Sequence, residues 1–256
     1  MIEVISERLQ FSARGRAKRL LPLQRPDGTA RGGVLLVHCF AASDERYTLN
    51  RLSRGLAEAG YAVLRWDFTG LGETPGFEAD ATTTLANDIQ RAATLLAQQD
   101  IGHISLVGHS LGAAAALVVA PTVRHLASVV TIAAPASGRA VRDLFEVPRG
   151  RGDEHAVSGI GRTFPIAAEL VDDFVAFERD RAVGELDAPL LVVHALDDEV
   201  VPIEEGEKLF GAAVQPKSFV PLVGADHLLT SPAAGEQVLR VVADWFHRTR
   251  PANLRQ

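Results

Sequence analysis

Six short, nearly continuous apolar runs set the tightest limit on how this chain can fold: Val34-Leu35-Leu36-Val37, Ala62-Val63-Leu64, Ile104-Ser105-Leu106-Val107, Val129-Val130-Thr131-Ile132, Leu190-Leu191-Val192-Val193 and Ser218-Phe219-Val220. They lack the polar and apolar alternation of a strand with one wet face, and each is too short for a core-covering helix. Such runs suit strands buried on both faces, which calls for a mostly parallel sheet with helices packed above and below. Helical patterns at about 48–59, 84–99, 111–120, 203–211 and 234–248 supply the helices, and the gaps are long enough for right-handed crossovers. Two further strands, about 3–12 and 17–24, are of mixed polarity and joined by Ala13-Arg14-Gly15-Arg16, which predicts an antiparallel edge hairpin. The expectation is an eight-stranded, mostly parallel sheet.

One connection is out of scale. About 50 residues separate Ala134 from Pro189, several times the usual loop length, so this segment must carry structure of its own. Residues 139–187 hold 11 acidic and 7 basic side chains, a richer charge content than the 23% of the whole chain, as a surface insertion would. From Pro165, a favourable first helical residue, Ile166, Leu170, Phe174 and Phe177 recur at helical spacing and form one apolar stripe. The division expected is a core of residues 1–134 and 189–256 with a small cap, 135–188. The stripe either packs on the sheet's flank or faces a site below the cap.

Composition removes several function classes. With 26 Lys and Arg against 32 Asp and Glu, the net charge of −6 offers no footprint for nucleic acid or an anionic membrane. The longest uncharged apolar stretch, Leu111 to Val123, falls short of the ~20 residues of a membrane-spanning helix, and residues 1–24 hold no apolar stretch of signal-peptide length. A single cysteine, Cys39, can form no internal disulfide, which points to the cytoplasm. No cofactor or metal is expected: Gly70-Leu71-Gly72 lacks the third glycine of a dinucleotide fingerprint, and the eight histidines form no H-E-x-x-H pattern.

What remains is nucleophilic chemistry. Gly108-His109-Ser110-Leu111-Gly112 follows a strand and opens a helix, where a serine in a tight turn needs small residues two before and two after it. A hydroxyl needs a base, and the base an orienting acid. Past the run at 190–193 stands Asp197-Asp198-Glu199-Val200-Val201-Pro202, and past the last run stands Gly224-Ala225-Asp226-His227. Both lie just beyond strand C-termini, where an open α/β sheet presents its ligand-facing groups. The backbone N–H of Leu111 suits an oxyanion, with a second donor expected from the loop after the first buried run, at Phe40. Taken singly, Ser110 could be a helix cap, the carboxylates turn formers and His227 a satisfied loop histidine; the order serine, acid, histidine on three such loops favours catalysis.

The whole chain resembles an α/β-hydrolase-fold serine hydrolase. More narrowly, His38-Cys39-Phe40, Arg65-Trp66-Asp67-Phe68-Thr69-Gly70-Leu71-Gly72, Gly108 to Gly112 and Pro216-Lys217-Ser218-Phe219 through His227 resemble the hydrolase half of bacterial hydrolase–OsmC fusion proteins, whose OsmC half is absent from these residues. The resemblance implies the α/β-hydrolase fold and cleavage of a carboxylic ester or related small-molecule acyl substrate through an acyl-enzyme. It also selects the acid: the position four residues before the proline of D-x-x-V-P is Asp198, giving a triad of Ser110, Asp198 and His227. Phe174 and Phe177 would then line an acyl pocket. An acyltransferase or thioesterase with the same triad, or a binding protein that keeps only the fold, are the alternatives.

Overall fold

The computed structural model describes residues 2–11, 19–38, 43–67, 82–146, 154–157, 162–165, 175 and 179–250. Its main sheet has eight strands: β1 (Val4–Phe11), β2 (Arg19–Pro26), β3 (Gly33–His38), β4 (Ala62–Asp67), β5 (Ile104–His109), β6 (Leu126–Ile132), β10 (Leu190–Ala195) and β11 (Lys217–Leu222), in the order β1-β2-β4-β3-β5-β6-β10-β11. β1 and β2 form the expected antiparallel hairpin, and β2 meets β4 antiparallel through Leu23 with Leu64 and Gln24 with Val63. Every later pairing is parallel.

Side-chain alternation along the buried strands divides the core in two. Leu35, Leu64, Leu106, Val129 and Val192 point to one face, where they meet Ile89 and Leu96 of α2 (Thr82–Ala97), Leu111, Leu117 and Val119 of α3 (Leu111–Val119) and Leu209 of α6 (Ile203–Ala212). Val34, Leu36, Val63, Val107, Val130 and Val193 point to the other, against Leu49, Leu52 and Leu56 of α1 (Ser43–Glu58) and Val238, Val242, Trp245 and Phe246 of α7 (Pro232–Thr249). Each fully buried Leu, Val or Phe side chain contributes about 1.5–3 kcal/mol, which is why the runs are continuous rather than alternating. Among the described residues no helix is long and apolar enough to cross a membrane.

The segment between β6 and β10 has structure of its own. It holds α4 (Gly138–Leu144), a separate three-stranded antiparallel sheet of β7 (Phe145–Glu146), β8 (Glu154–Val157) and β9 (Arg162–Pro165), and α5 (Arg179–Gly184). Pro165, expected to open a helix, instead ends β9, on an edge strand where a missing N–H is tolerated. Ile166, Leu170, Phe174 and Phe177 lie outside the described residues.

The chain's path fixes where a site can form. From β3 it moves to β4 on one side, then crosses back to β5 on the other, so the adjacent C-terminal ends of β3 and β5 form a switch point. Open α/β sheets bind ligands at such crevices. Ser110 is the first residue past β5.

Candidate active site

The turn at Ser110 is held by what surrounds it. Ser110 has φ 53° and ψ −126°, a left-handed backbone that costs a non-glycine residue about 1–3 kcal/mol. Its N–H donates to the Ile132 carbonyl at 2.8 Å, and its own carbonyl accepts from the Ala113 N–H at 3.0 Å. The glycines on either side are required by space. A Cβ on Gly108 would stand 2.3 Å from Ala113 Cα, and one on Gly112 would stand 2.4 Å from the Val37 carbonyl oxygen. Strand and helix therefore meet with no room for a side chain, and the turn presents Ser110 at the sheet's rim.

The hydroxyl makes no side-chain cap to α3, so the bland role of a helix-capping serine is not the one it plays. It lies 3.1 Å from His227 Nε2 instead. His227 Nδ1 stands 2.9 Å from Asp198 Oδ2 and 3.1 Å from Oδ1. An ionised carboxylate only accepts, so His227 donates through Nδ1–H and Nε2 is left to accept from Ser110. The three residues come from loops after β5, β10 and β11, and Asp198 rather than its exposed neighbour Asp197 reaches the ring. Burial pushes the Asp198 carboxyl upward, but the His227 hydrogen bond and charge and the Val201 and Val200 N–H groups, at 2.8 and 2.9 Å from Oδ1, outweigh it and hold the group below its ordinary value. It is anionic at neutral pH.

The histidine loop is tied down from two sides. His109 donates through Nε2 to the His227 carbonyl at 2.8 Å, and Thr48 of α1 donates its hydroxyl to the Leu229 carbonyl at 3.0 Å. Leu111 opens α3, so its N–H belongs to the first helical turn, whose donors have no partner within the helix, and it sits at the positive end of the helix dipole. Phe40 and Cys39 lie outside the described residues, as do Phe174 and Phe177.

Beside Thr48, two buried titratable residues near the triad, His194 and Glu205, were not singled out by the sequence. His194, inside β10, is fully buried, and its Nε2 lies 2.9 Å from the Val201 carbonyl oxygen and 3.7 Å from Asp198 Oδ2. Desolvation lowers its pKa beyond what Val201 and Asp198 restore, so it is neutral. Glu205, 5% exposed on α6, accepts at Oε2 from the Ala136 and Ser137 N–H groups at 3.0 and 2.8 Å and from the Ser137 hydroxyl at 2.9 Å. It thereby anchors the root of the segment that leaves β6. A histidine in an otherwise apolar strand was a usable signal; Glu205, whose partners are 69 and 68 residues away, gave none.

Residues 34–245 match the profile of the Alpha/beta hydrolase family. The chain belongs to that family. A crystal structure of the esterase domain of a Rhodothermus marinus protein is 33% identical and superposes with a TM-score of 0.77 over 97% of this chain and 98% of that one. Est1E from Butyrivibrio proteoclasticus, 18% identical with a TM-score of 0.71 over 95% of this hydrolase-family chain and 99% of its own, shares the fold. Among curated proteins, Rv2307c of Mycobacterium tuberculosis is 27% identical over 205 residues, and the lysophosphatidylserine lipase ABHD12 of Macaca fascicularis 28% over 194. These alignments take in 79% and 73% of this chain but only 66% and 46% of the relatives' own lengths.

Proposed function

We propose that this α/β hydrolase is a serine esterase that cleaves a carboxylic ester or related small-molecule acyl substrate without a cofactor. The observation that carries the reading is the continuous chain from Ser110 Oγ through His227 to Asp198, with contacts of 3.1 and 2.9 Å. His227 Nε2 takes the Ser110 proton as Oγ attacks the carbonyl carbon, and Asp198 stabilises the imidazolium that forms. The Leu111 N–H, with that of Phe40, receives the oxyanion. The imidazolium then protonates the departing alcohol, and water, deprotonated by the same ring, releases the acid.

Several features support hydrolysis over a binding role: the strained serine turn, a carboxylate kept ionised, and likeness to an esterase domain and to a lysophosphatidylserine lipase. We carry the likeness to hydrolase–OsmC fusions into this reading as a hydrolase only, with no peroxide-reducing thiol chemistry. The segment 135–188 serves here as a cap, with Phe174 and Phe177 as walls of the acyl pocket. One cysteine in 256 residues is in keeping with the cytoplasm.

The test is fluorophosphonate labelling of parent and Ser110→Ala proteins, with turnover of p-nitrophenyl esters and circular dichroism alongside. Labelling and turnover should vanish in the variant while the spectrum is retained. Undiminished labelling of Ser110→Ala would refute the assignment of the nucleophile, and an acyl acceptor preferred over water would turn the reading towards acyl transfer.

A further inference from the structure

We propose that His194 is a positioning residue, which holds the Asp198 turn in place by donating its Nε2–H to the Val201 carbonyl. The inference rests on the triad reading above and adds to it the support beneath the acid.

A fully buried imidazole in the middle of a sheet needs a reason, because a polar group without partners in the core is costly. His194 falls on the same face of β10 as Leu190 and Val192, towards α6. There Gly206 makes room for it: a Cβ at that position would stand 2.6 Å from His194 Nδ1 and 3.1 Å from Cγ. Glycine inside a helix is less stable there than alanine, and the ring is what occupies the space it leaves.

The neighbours fix the tautomer. Nε2 faces two acceptors, the Val201 carbonyl at 2.9 Å and Asp198 Oδ2 at 3.7 Å, so the proton resides there. Nδ1 has no hydrogen-bond partner among the described residues and faces Gly206. A second proton on Nδ1 would find no acceptor. The titratable groups facing the ring are Asp198, His227 and Glu205, and the ring sits among them as a fixed donor.

The peptide groups of Val201 link this donor to the acid. The Val201 N–H donates to Asp198 Oδ1 at 2.8 Å and its carbonyl accepts from His194 at 2.9 Å. Val200 supplies the second N–H on the same carboxylate oxygen. The loop between β10 and α6 is thus closed back onto its own strand, with the carboxylate clamped inside. Without the His194 donor the Val201 carbonyl is left buried and unpaired, and the turn must shift to satisfy it. That shift moves Asp198 relative to His227 Nδ1.

The experiment compares His194→Leu, His194→Gln and His194→Asn with the parent. Two readouts are used: kcat and KM for p-nitrophenyl butyrate, and the downfield proton resonance of the His227 Nδ1–H bonded to Asp198. His194→Leu should lower kcat by about tenfold, with KM nearly unchanged, and displace or broaden the resonance. His194→Gln, whose amide nitrogen reaches as far as the imidazole Nε2, should recover both; His194→Asn, one methylene shorter, should not. Retention of the parent kcat and resonance in His194→Leu would overturn the proposal, as would Gln and Asn variants that behave alike. If the Leu variant does not fold, the Gln and Asn pair decides. Failure of the parent to label with fluorophosphonate would refute the triad reading separately, while the resonance still reports whether His194 holds Asp198.

Discussion

Alanine at position 112 should slow the enzyme and destabilise it at once. The added Cβ would lie 2.4 Å from the Val37 carbonyl oxygen, 2.7 Å from His38 Cα and 2.8 Å from Val37 C, against an ordinary contact of 3.4 Å or more. All three atoms are backbone of β3, which is paired on both sides by β4 and β5 and cannot retreat. The start of α3 must therefore move by about 1 Å, an overpacking cost at the upper end of the usual range, about 3 kcal/mol. For a chain of this size that lowers Tm by about 6–12 °C. Ser110 immediately precedes α3 and would lose its 3.1 Å approach to His227, and a misplacement of this size costs about 100-fold in rate. Gly211→Ala is the matched control. It adds the same methyl near the end of α6, where nothing lies within 4 Å, and should stabilise by about 0.5–1 kcal/mol with no change in rate. Thermal unfolding and p-nitrophenyl butyrate turnover of both variants check this. Gly112→Ala with the parent's Tm and kcat would refute the close-contact argument.

Asp198→Asn should reduce kcat by up to ~10⁴ by imposing the wrong tautomer on His227, as in serine proteases, whereas Asp197→Asn, at an exposed position, should change it little; steady-state kinetics of both decide, and the reverse order would reassign the acid. Glu205→Gln should destabilise the protein by about 2 kcal/mol at neutral pH, since neutral amides accept hydrogen bonds more weakly than carboxylates. Burial raises the Glu205 pKa, but Lys208 and the Ser137 backbone and hydroxyl donors pull it below its ordinary value. The stabilisation it gives is therefore present above the unfolded value of about 4.3 and lost as pH falls through the folded one. Urea unfolding should accordingly show the gap between parent and variant closing in acid; a gap independent of pH would mean that the charge is not what anchors Ser137.

The sheet was legible because burial on both faces writes itself as continuous apolar runs; each of the six falls within a described strand. Helix α1 begins at Ser43, earlier than its apolar pattern from 48, because Ser43-Asp44-Glu45-Arg46 is polar and carries no periodic signal. Strands β7, β8 and β9 were missed for the opposite reason: two to four residues are too few to show alternation. At the candidate site, the tight turn at Ser110 was legible because strand, glycines and helix constrain one another within a few residues. The partners of Glu205 and the link from Thr48 to Leu229 join positions 68 to 181 residues apart, and nothing local to either end announces them.

Those long-range ties bear on how heat acts. Each of the three site residues is fastened by hydrogen bonds to a different part of the interior: Ser110 to the end of β6, Asp198 through Val201 to β10, and the His227 loop to β5 and α1. A loop held only by its own turn loosens well below the temperature at which a protein melts, and activity then fades before structure does. Here the anchors are sheet strands and helix α1 rather than the turns alone. Loss of activity on heating should therefore follow global unfolding rather than precede it, which parallel thermal curves of p-nitrophenyl butyrate turnover and circular dichroism check.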